Sequence, residues 1–176
     1  MKLGSRAKLL LMMALFASPA LAAWLTFTWW QPDRFTNYGT LLEPRTLDLP
    51  PLGDEAGKVV DWSGLRGRWV LLVAAPDACD TRCRHDSYLA RQVRLAQGRD
   101  QARVERVFVS VAASGNWPYQ DGAYRAALAP LPPALADGGL FLVDPRGYLM
   151  MRYPPNADGE RVIRDLKQLL RASREG

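Results

Sequence analysis

Cys79 and Cys83 are the only two cysteines in 176 residues, and they stand four apart in Ala-Pro-Asp-Ala-Cys-Asp-Thr-Arg-Cys-Arg-His-Asp. Two sulfurs at that spacing can serve as a redox-active dithiol, as a clip for a soft metal ion, or as a small structural disulfide. The pair follows the apolar run Trp69 to Ala75 and precedes a helical pattern, which puts it where a strand hands over to a helix. Ligands and chemistry collect at such turns, because the first turn of the helix presents free backbone N–H groups. A cysteine there has its thiolate stabilised by the helix dipole. Arg82 and Arg84 add to that effect while Asp77 and Asp80 oppose it, so the sequence leaves the sign of the net shift open. A disulfide closing so short a loop would contribute on the order of 2 kcal/mol by loop entropy.

For the metal reading the donor set is thin. Cu(I) is soft and is satisfied by two thiolates, whereas Cu(II) asks for an additional nitrogen or oxygen ligand. His85 is the sole histidine and lies two residues after Cys83, a spacing that sends it to a different side of a helix. Met150 and Met151 offer thioether sulfur, but neighbours on a strand face opposite ways, and core packing is their expected role. Asp54, Glu55, Asp61 and the Ser63-Gly64 pair have no context for acid–base or nucleophilic work. No phosphate loop and no zinc-ligand spacing occurs.

The elements that position the cysteines follow from periodicity. Trp69 to Val73 is apolar on both faces, as in a central strand covered on each side. Residues 81–95 read as a helix in which Leu89, Val93 and Ala96 recur at helical spacing, and Val104 to Val111 as a second strand, giving a parallel βαβ unit. A short helix is expected at Gly122 to Leu128 within a proline-rich loop. Leu140 to Val143, the turn Asp144-Pro145-Arg146-Gly147 and Tyr148 to Tyr153 then form a hairpin. A closing amphipathic helix begins near Asp158, with Val162, Leu166, Leu169 and Leu170 on one face.

The amino terminus differs from all of this. Lys2, Arg6 and Lys8 precede an uncharged stretch from Leu9 to Trp30, 22 residues long. At about 1.5 Å per residue it reaches roughly 33 Å, against a bilayer core of about 30 Å. Ala20-Leu21-Ala22 offers a signal-peptidase site, but the apolar run continues past it to Trp29 and Trp30, so an uncleaved anchor is expected. The basic flank would keep the amino terminus in the cytoplasm and send the remainder across the membrane, into an oxidising compartment such as the bacterial periplasm. The division expected is residues 1–31 as anchor, 32–56 as an extended Pro- and Gly-rich stalk, and 57–176 as one folded domain.

The net charge of +5 carries no nucleic-acid signal. Three of the 23 basic residues flank the anchor, leaving 20 against 18 acidic ones. One local excess remains, in Arg82, Arg84, Arg91, Arg94, Arg99, Arg103 and Arg106, which reads as a solvated helix face or as a docking surface for an acidic partner.

The element order, with a cysteine pair at the first strand-to-helix turn, resembles the thioredoxin-like fold: an α/β fold with a central mixed sheet, a βαβ unit, a β-hairpin and a C-terminal helix. Leu65-Arg66-Gly67-Arg68-Trp69-Val70-Leu71-Leu72, the CxxxC pair, Val107-Phe108-Val109-Ser110-Val111 and Leu142-Val143-Asp144-Pro145-Arg146-Gly147 resemble the SCO/SenC family across about Leu65 to Leu170. That resemblance implies an inner-membrane, single-pass assembly factor for a haem-copper (cytochrome c) oxidase, a copper chaperone or thiol–disulfide protein. It would work with an oxidase subunit or with other assembly factors through Cys79 and Cys83. The departures are specific. Asp80 follows the first cysteine where the family has proline, the stretch Leu135 to Leu140 lacks the family's third copper ligand, a histidine, and Ala112 to Asn116 replaces an acidic motif. Cu(I) delivery, thiol exchange, and a non-catalytic, metal-free interaction protein with a structural disulfide all remain open at this level.

Overall fold

Trp69–Ala75 forms the central strand of the protein, and all seven of its residues are buried. A computed structural model describes residues 4–29, 37–54, 56–111 and 121–173, divided into two compact units, Met1–Thr36 and Asn37–Gly176. Trp30 to Thr36, Glu55 and the segment Ala112 to Asn116 lie outside the described residues.

The first unit is the helix α1, Ser5–Trp29. Its stretch Arg6–Leu25 is 20 residues long with a mean hydropathy of 1.7, long and apolar enough to cross a membrane. Leu9, Leu10, Phe16 and Trp24 are each more than 60% exposed.

The second unit is one mixed eight-stranded sheet with helices packed on it. In chain order the strands are β1 (Thr40–Thr46), β2 (Leu52–Gly53), β3 (Val59–Val60), β4 (Trp69–Ala75), β5 (Val104–Ser110), β6 (Tyr124–Ala127), β7 (Gly139–Val143) and β8 (Tyr148–Arg152). Across the sheet they run β1-β8-β7-β4-β5-β6-β2-β3. The helices are α2 (Thr81–Leu95) and α3 (Gly159–Ala172). Strands β4 and β5 are parallel, as the βαβ reading requires, while β7 lies antiparallel on the other side of β4.

Because side chains alternate along a strand, β4 feeds two cores. Trp69, Leu71, Val73 and Ala75 meet Val93 of α2 and Val162, Leu166 and Leu170 of α3. Val70, Leu72 and Ala74 face the other way, onto Leu47, Leu52, Leu135 and Phe141. The β7–β8 hairpin turns where expected, with the Asp144 carboxylate accepting from the N–H groups of Arg146 and Tyr148 at 2.9 and 2.8 Å.

Two expectations need correction. The segment foreseen as a stalk is part of the sheet: β1 pairs with β8, and Leu47, Leu49 and Leu52 are buried. The folded unit therefore starts at Asn37 rather than at 57. Pro44 falls within the register shift of β1, a place where a missing N–H is tolerated. The chain leading into β1 is pinned by Asp165 of α3, 4% exposed, which accepts the N–H groups of Tyr38 and Gly39 at 2.8 and 3.0 Å. Second, the short helix foreseen at Gly122 to Leu128 is the strand β6, parallel to β5. A seven-residue segment is too short to sustain a helix by itself, and the open ladder of β5 satisfies its backbone groups instead.

Candidate functional site

The site lies at the carboxyl end of β4, where Pro76 to Cys79 lead into α2. Asp80 caps the helix, its carboxylate accepting from the Cys83 N–H at 2.8 Å, and Ser87 donates its hydroxyl to the Cys83 carbonyl at 2.7 Å. These two bonds fix the Cys83 backbone from both sides. Cys79 and Cys83 are joined as a disulfide with Cα atoms 5.2 Å apart, within the usual span. Cys83 is 6% exposed and belongs to the core beneath the sheet, whereas Cys79 is half-buried at the surface. An incoming sulfur atom thus reaches Cys79 more readily than Cys83.

Beside the pair is a cavity of about 210 Å³ lined by Pro76, Arg82, Cys83, Asp86 and the Gly138-Gly139 pair, among others. Asp86 is 1% exposed, with its Oδ2 3.9 Å from Arg82 Nε and its Oδ1 3.5 Å from His85 Nδ1. Burial pushes its carboxyl above the usual carboxylate range, only partly offset by His85 and Arg82. Arg82 Nε is buried with no hydrogen-bond partner among the described residues. The guanidinium lies in a space that exists because residue 139 has no side chain: a Cβ there would stand 2.7 Å from Arg82 Nη2. A Cβ on Gly138 would stand 2.9 Å from the Ala74 carbonyl oxygen, a backbone atom that cannot swing aside, and both glycines have positive φ, +64° and +117°.

Cys79 and Cys83 are thus bonded to each other beside the cavity. His85 is turned to Asp86 and does not line the cavity. Met151 is fully buried and Met150 half-buried against the same core, and neither reaches the cavity. Arg82 and Asp86 were not foreseen as site residues. The signal for Asp86 was its place three residues after Cys83, on the buried stripe that continues through Ala90 and Val93. Leu89 and Val93 of the expected stripe are buried, whereas Ala96 is exposed.

The arginine cluster resolves mostly into internal clamps. Arg91 pairs with Asp121 at 2.9 Å, and Arg94 donates to the Val104 carbonyl at 2.7 Å. Arg103 reaches the Leu170 carbonyl at 3.0 Å, and buried Arg106 donates to the Asp121 carbonyl. Arg84 and Arg99 remain exposed.

A Cys-Cys-His copper site was tested against these residues. Among the described residues no group of three His, Cys, Asp or Glu side chains is placed to hold a metal ion. The loop before β7 contributes Asp137, which pairs with Arg152 at 3.1 Å, followed by two glycines. The cavity in front of them already contains a guanidinium. Two sulfurs alone do not suit Cu(II). The residues present do not fit a three-ligand copper site.

Solved structures that share the fold include the following three. The solution structure of apo Sco1 from Thermus thermophilus has 21% identity and a TM-score of 0.57, covering 78% of this chain and 99% of that one. The thioredoxin domain of a thiol-disulfide oxidoreductase from Bacteroides vulgatus has 15% identity and a TM-score of 0.53, covering 74% and 99%. ScoI of Bradyrhizobium japonicum with copper bound has 19% identity and a TM-score of 0.50, covering 69% and 99%. No curated protein matches the sequence. The family described as transmembrane-like, thioredoxin-like, C-terminal domain matches residues 69–173, from the first residue of β4 to the end of α3. With that match spanning more than half of its length, the chain belongs to the transmembrane-like, thioredoxin-like C-terminal domain family.

Proposed function

We propose that this protein is a Sco-like thiol–disulfide exchange factor, anchored in the cytoplasmic membrane of a bacterium by α1 with its folded unit in the periplasm. Its dithiol keeps the copper-ligand cysteines of a haem-copper oxidase reduced during assembly of that copper site. The observation that carries the reading is the asymmetric pair at the start of α2: Cys79 half-buried and open to attack, Cys83 buried beneath it, and no third metal donor among the described residues.

The exchange is a two-electron step. The Cys79 thiolate attacks one sulfur of a target disulfide, forming a mixed disulfide and releasing the other target sulfur as a thiol. The Cys83 thiolate then attacks the Cys79 sulfur, closing the internal disulfide and releasing the second target thiol. Two electrons pass to the target, and the two protons lost by the cysteines end on the target's sulfurs. A separate dithiol reductant must reopen the Cys79–Cys83 bond for the next round.

Deleting the gene should lower oxidase activity in membranes. Re-expression of the native chain should restore it, and a Cys79→Ser, Cys83→Ser chain made in equal amount should not. Full rescue by the double variant would overturn the exchange mechanism and leave a metal-free interaction role.

A further inference from the structure

Helix α3 turns a cationic face to solvent. Val162, Asp165, Leu166 and Leu170 are buried against the sheet, while Arg161, Arg164, Lys167, Gln168 and Arg171 are exposed. At about 100° per residue these five fall within roughly 120° of the helix circumference. The acidic groups on that side are Glu160 and the capping Asp158, both at the amino end. Among the described residues none of the four cations is held in an ion pair, although Glu160 stands four positions before Arg164. The neighbouring Arg103 and Asp100 pair with each other at 3.5 Å and add no net charge. Helix stability does not call for the pattern. Arg171, in the last turn, suits the macrodipole, but Arg161 stands in the first turn, where the dipole opposes a cation.

The chain coming from α1 enters the folded unit on this same helix. Tyr38 is fastened to α3 at both ends: Asp165 accepts its N–H at 2.8 Å, and its hydroxyl accepts the Asp158 N–H at 3.0 Å. Arg161 lies over its ring, 4.5 Å from the centroid. Only residues 30–37 join Trp29, the end of α1, to Tyr38, and fully extended they reach about 30 Å at most. The covalent chain therefore keeps the first turns of α3 within that reach of the end of the apolar helix.

We propose that the stripe Arg164, Lys167 and Arg171 docks α3 on the anionic phospholipid headgroups of the bilayer that α1 spans, holding the folded unit against the membrane surface. The inference rests on the anchoring of α1 and not on the exchange chemistry. The exposed face of α3 carries no large apolar side chain, so the contact is made with headgroups by charge and does not insert. None of its residues lines the cavity beside the cysteines, so docking does not require the dithiol to face the lipid.

The test uses the full-length chain, its cysteine pair oxidised, in nanodiscs of phosphatidylcholine alone or with about one-third phosphatidylglycerol. A donor fluorophore on Gln168→Cys reads the docked-to-undocked ratio through energy transfer to trace headgroup-labelled lipid. At roughly fivefold per basic residue near an anionic surface, Arg164→Gln, Lys167→Gln, Arg171→Gln should lower that ratio about a hundredfold in the anionic discs. Removing as much charge elsewhere, with Arg45→Gln, Lys58→Gln, Arg66→Gln, should change it less than about fivefold. Salt near 0.5 M, where the Debye length is about 4 Å, should release the native chain without any substitution, which keeps the test decisive should the triple variant lose its near-ultraviolet circular dichroism. Equal transfer in the two lipids would overturn the proposal and leave the stripe to an acidic protein surface, and an equal loss in the two triple variants would overturn it as a property of α3. Failure of the chain to remain in either disc at high salt would instead overturn the anchoring by α1.

Discussion

Reducing the Cys79–Cys83 bond should weaken the folded unit only slightly, and the size of the effect separates a working disulfide from a structural staple. The two cysteines are four residues apart, so the bond closes one of the smallest loops a disulfide can close. Loop entropy for about five residues gives roughly 7 cal/mol/K, or about 2 kcal/mol at room temperature. Against this stand two continuous cores on the two faces of the sheet, in which Val73, Val107, Phe108, Phe141, Leu142 and Leu166 are each 0% exposed. A unit of about 140 residues unfolds with an entropy near 0.3 kcal/mol/K, so about 2 kcal/mol corresponds to roughly 7 °C in Tm. The assay is thermal and urea unfolding of the residue 37–176 unit with the bond intact, and after reduction by a phosphine that is then removed. The account predicts a single cooperative transition in both states, separated by about 7 °C, with an unchanged urea m-value. A loss of more than about 20 °C, or a reduced form without a cooperative transition, would refute the reasoning. The bond would then be a staple the fold cannot release, and a dithiol that must open in every cycle could not be its role.

Three further outcomes are expected. Asp165→Ala removes the acceptor of the Tyr38 and Gly39 N–H groups and should cost about 3 kcal/mol in urea unfolding, with faster amide exchange along β1; a cost below about 0.5 kcal/mol would contradict it. Asp86→Asn should raise Tm at neutral pH. Because burial raises the folded carboxyl above its unfolded value, ionising it destabilises the fold as pH rises through that interval, so the gain should vanish below the ordinary carboxylate range; a gain independent of pH would exclude the ionisation as its cause. A chain starting at residue 57 lacks β1 and β2 and uncovers the core around Leu72 and Phe141, so it should be insoluble or molten, whereas a chain starting at Asn37 should fold; circular dichroism and gel filtration distinguish the two.

How much of this was legible in the sequence depended on how local the signal was. Strand β4, helix α2, strand β5 and the hairpin after it each carry a strong period or a turn of fixed composition, and the cysteines fall at a junction that the period itself marks. Strand β6 was misread because Tyr-Arg-Ala-Ala suits a helix, and what makes it a strand is the free ladder of β5, far away in the chain. Strands β1 and β2 were hidden by Pro44, Pro50 and Pro51, although Leu47 and Leu49 alternate as buried strand-like residues do. In the site, the scarcity of metal donors was legible from composition, since His85 is the only histidine, whereas the placing of Arg82 beside Gly139 was not. The connection of Arg82 with Gly139 spans 57 positions and exists only once β7 lies beside β4.

The most direct test of the central claim is single-turnover exchange between the reduced full-length chain and a disulfide-bonded model peptide, read by mass spectrometry after acid quench. The account predicts one peptide disulfide reduced per chain and a loss of two hydrogens at the Cys79–Cys83 pair. It also predicts a mixed disulfide at Cys79 that accumulates in Cys83→Ser and is absent in Cys79→Ser. A dithiol that leaves the peptide disulfide intact over hours in excess, while a small free dithiol reduces it in minutes, would contradict the claim.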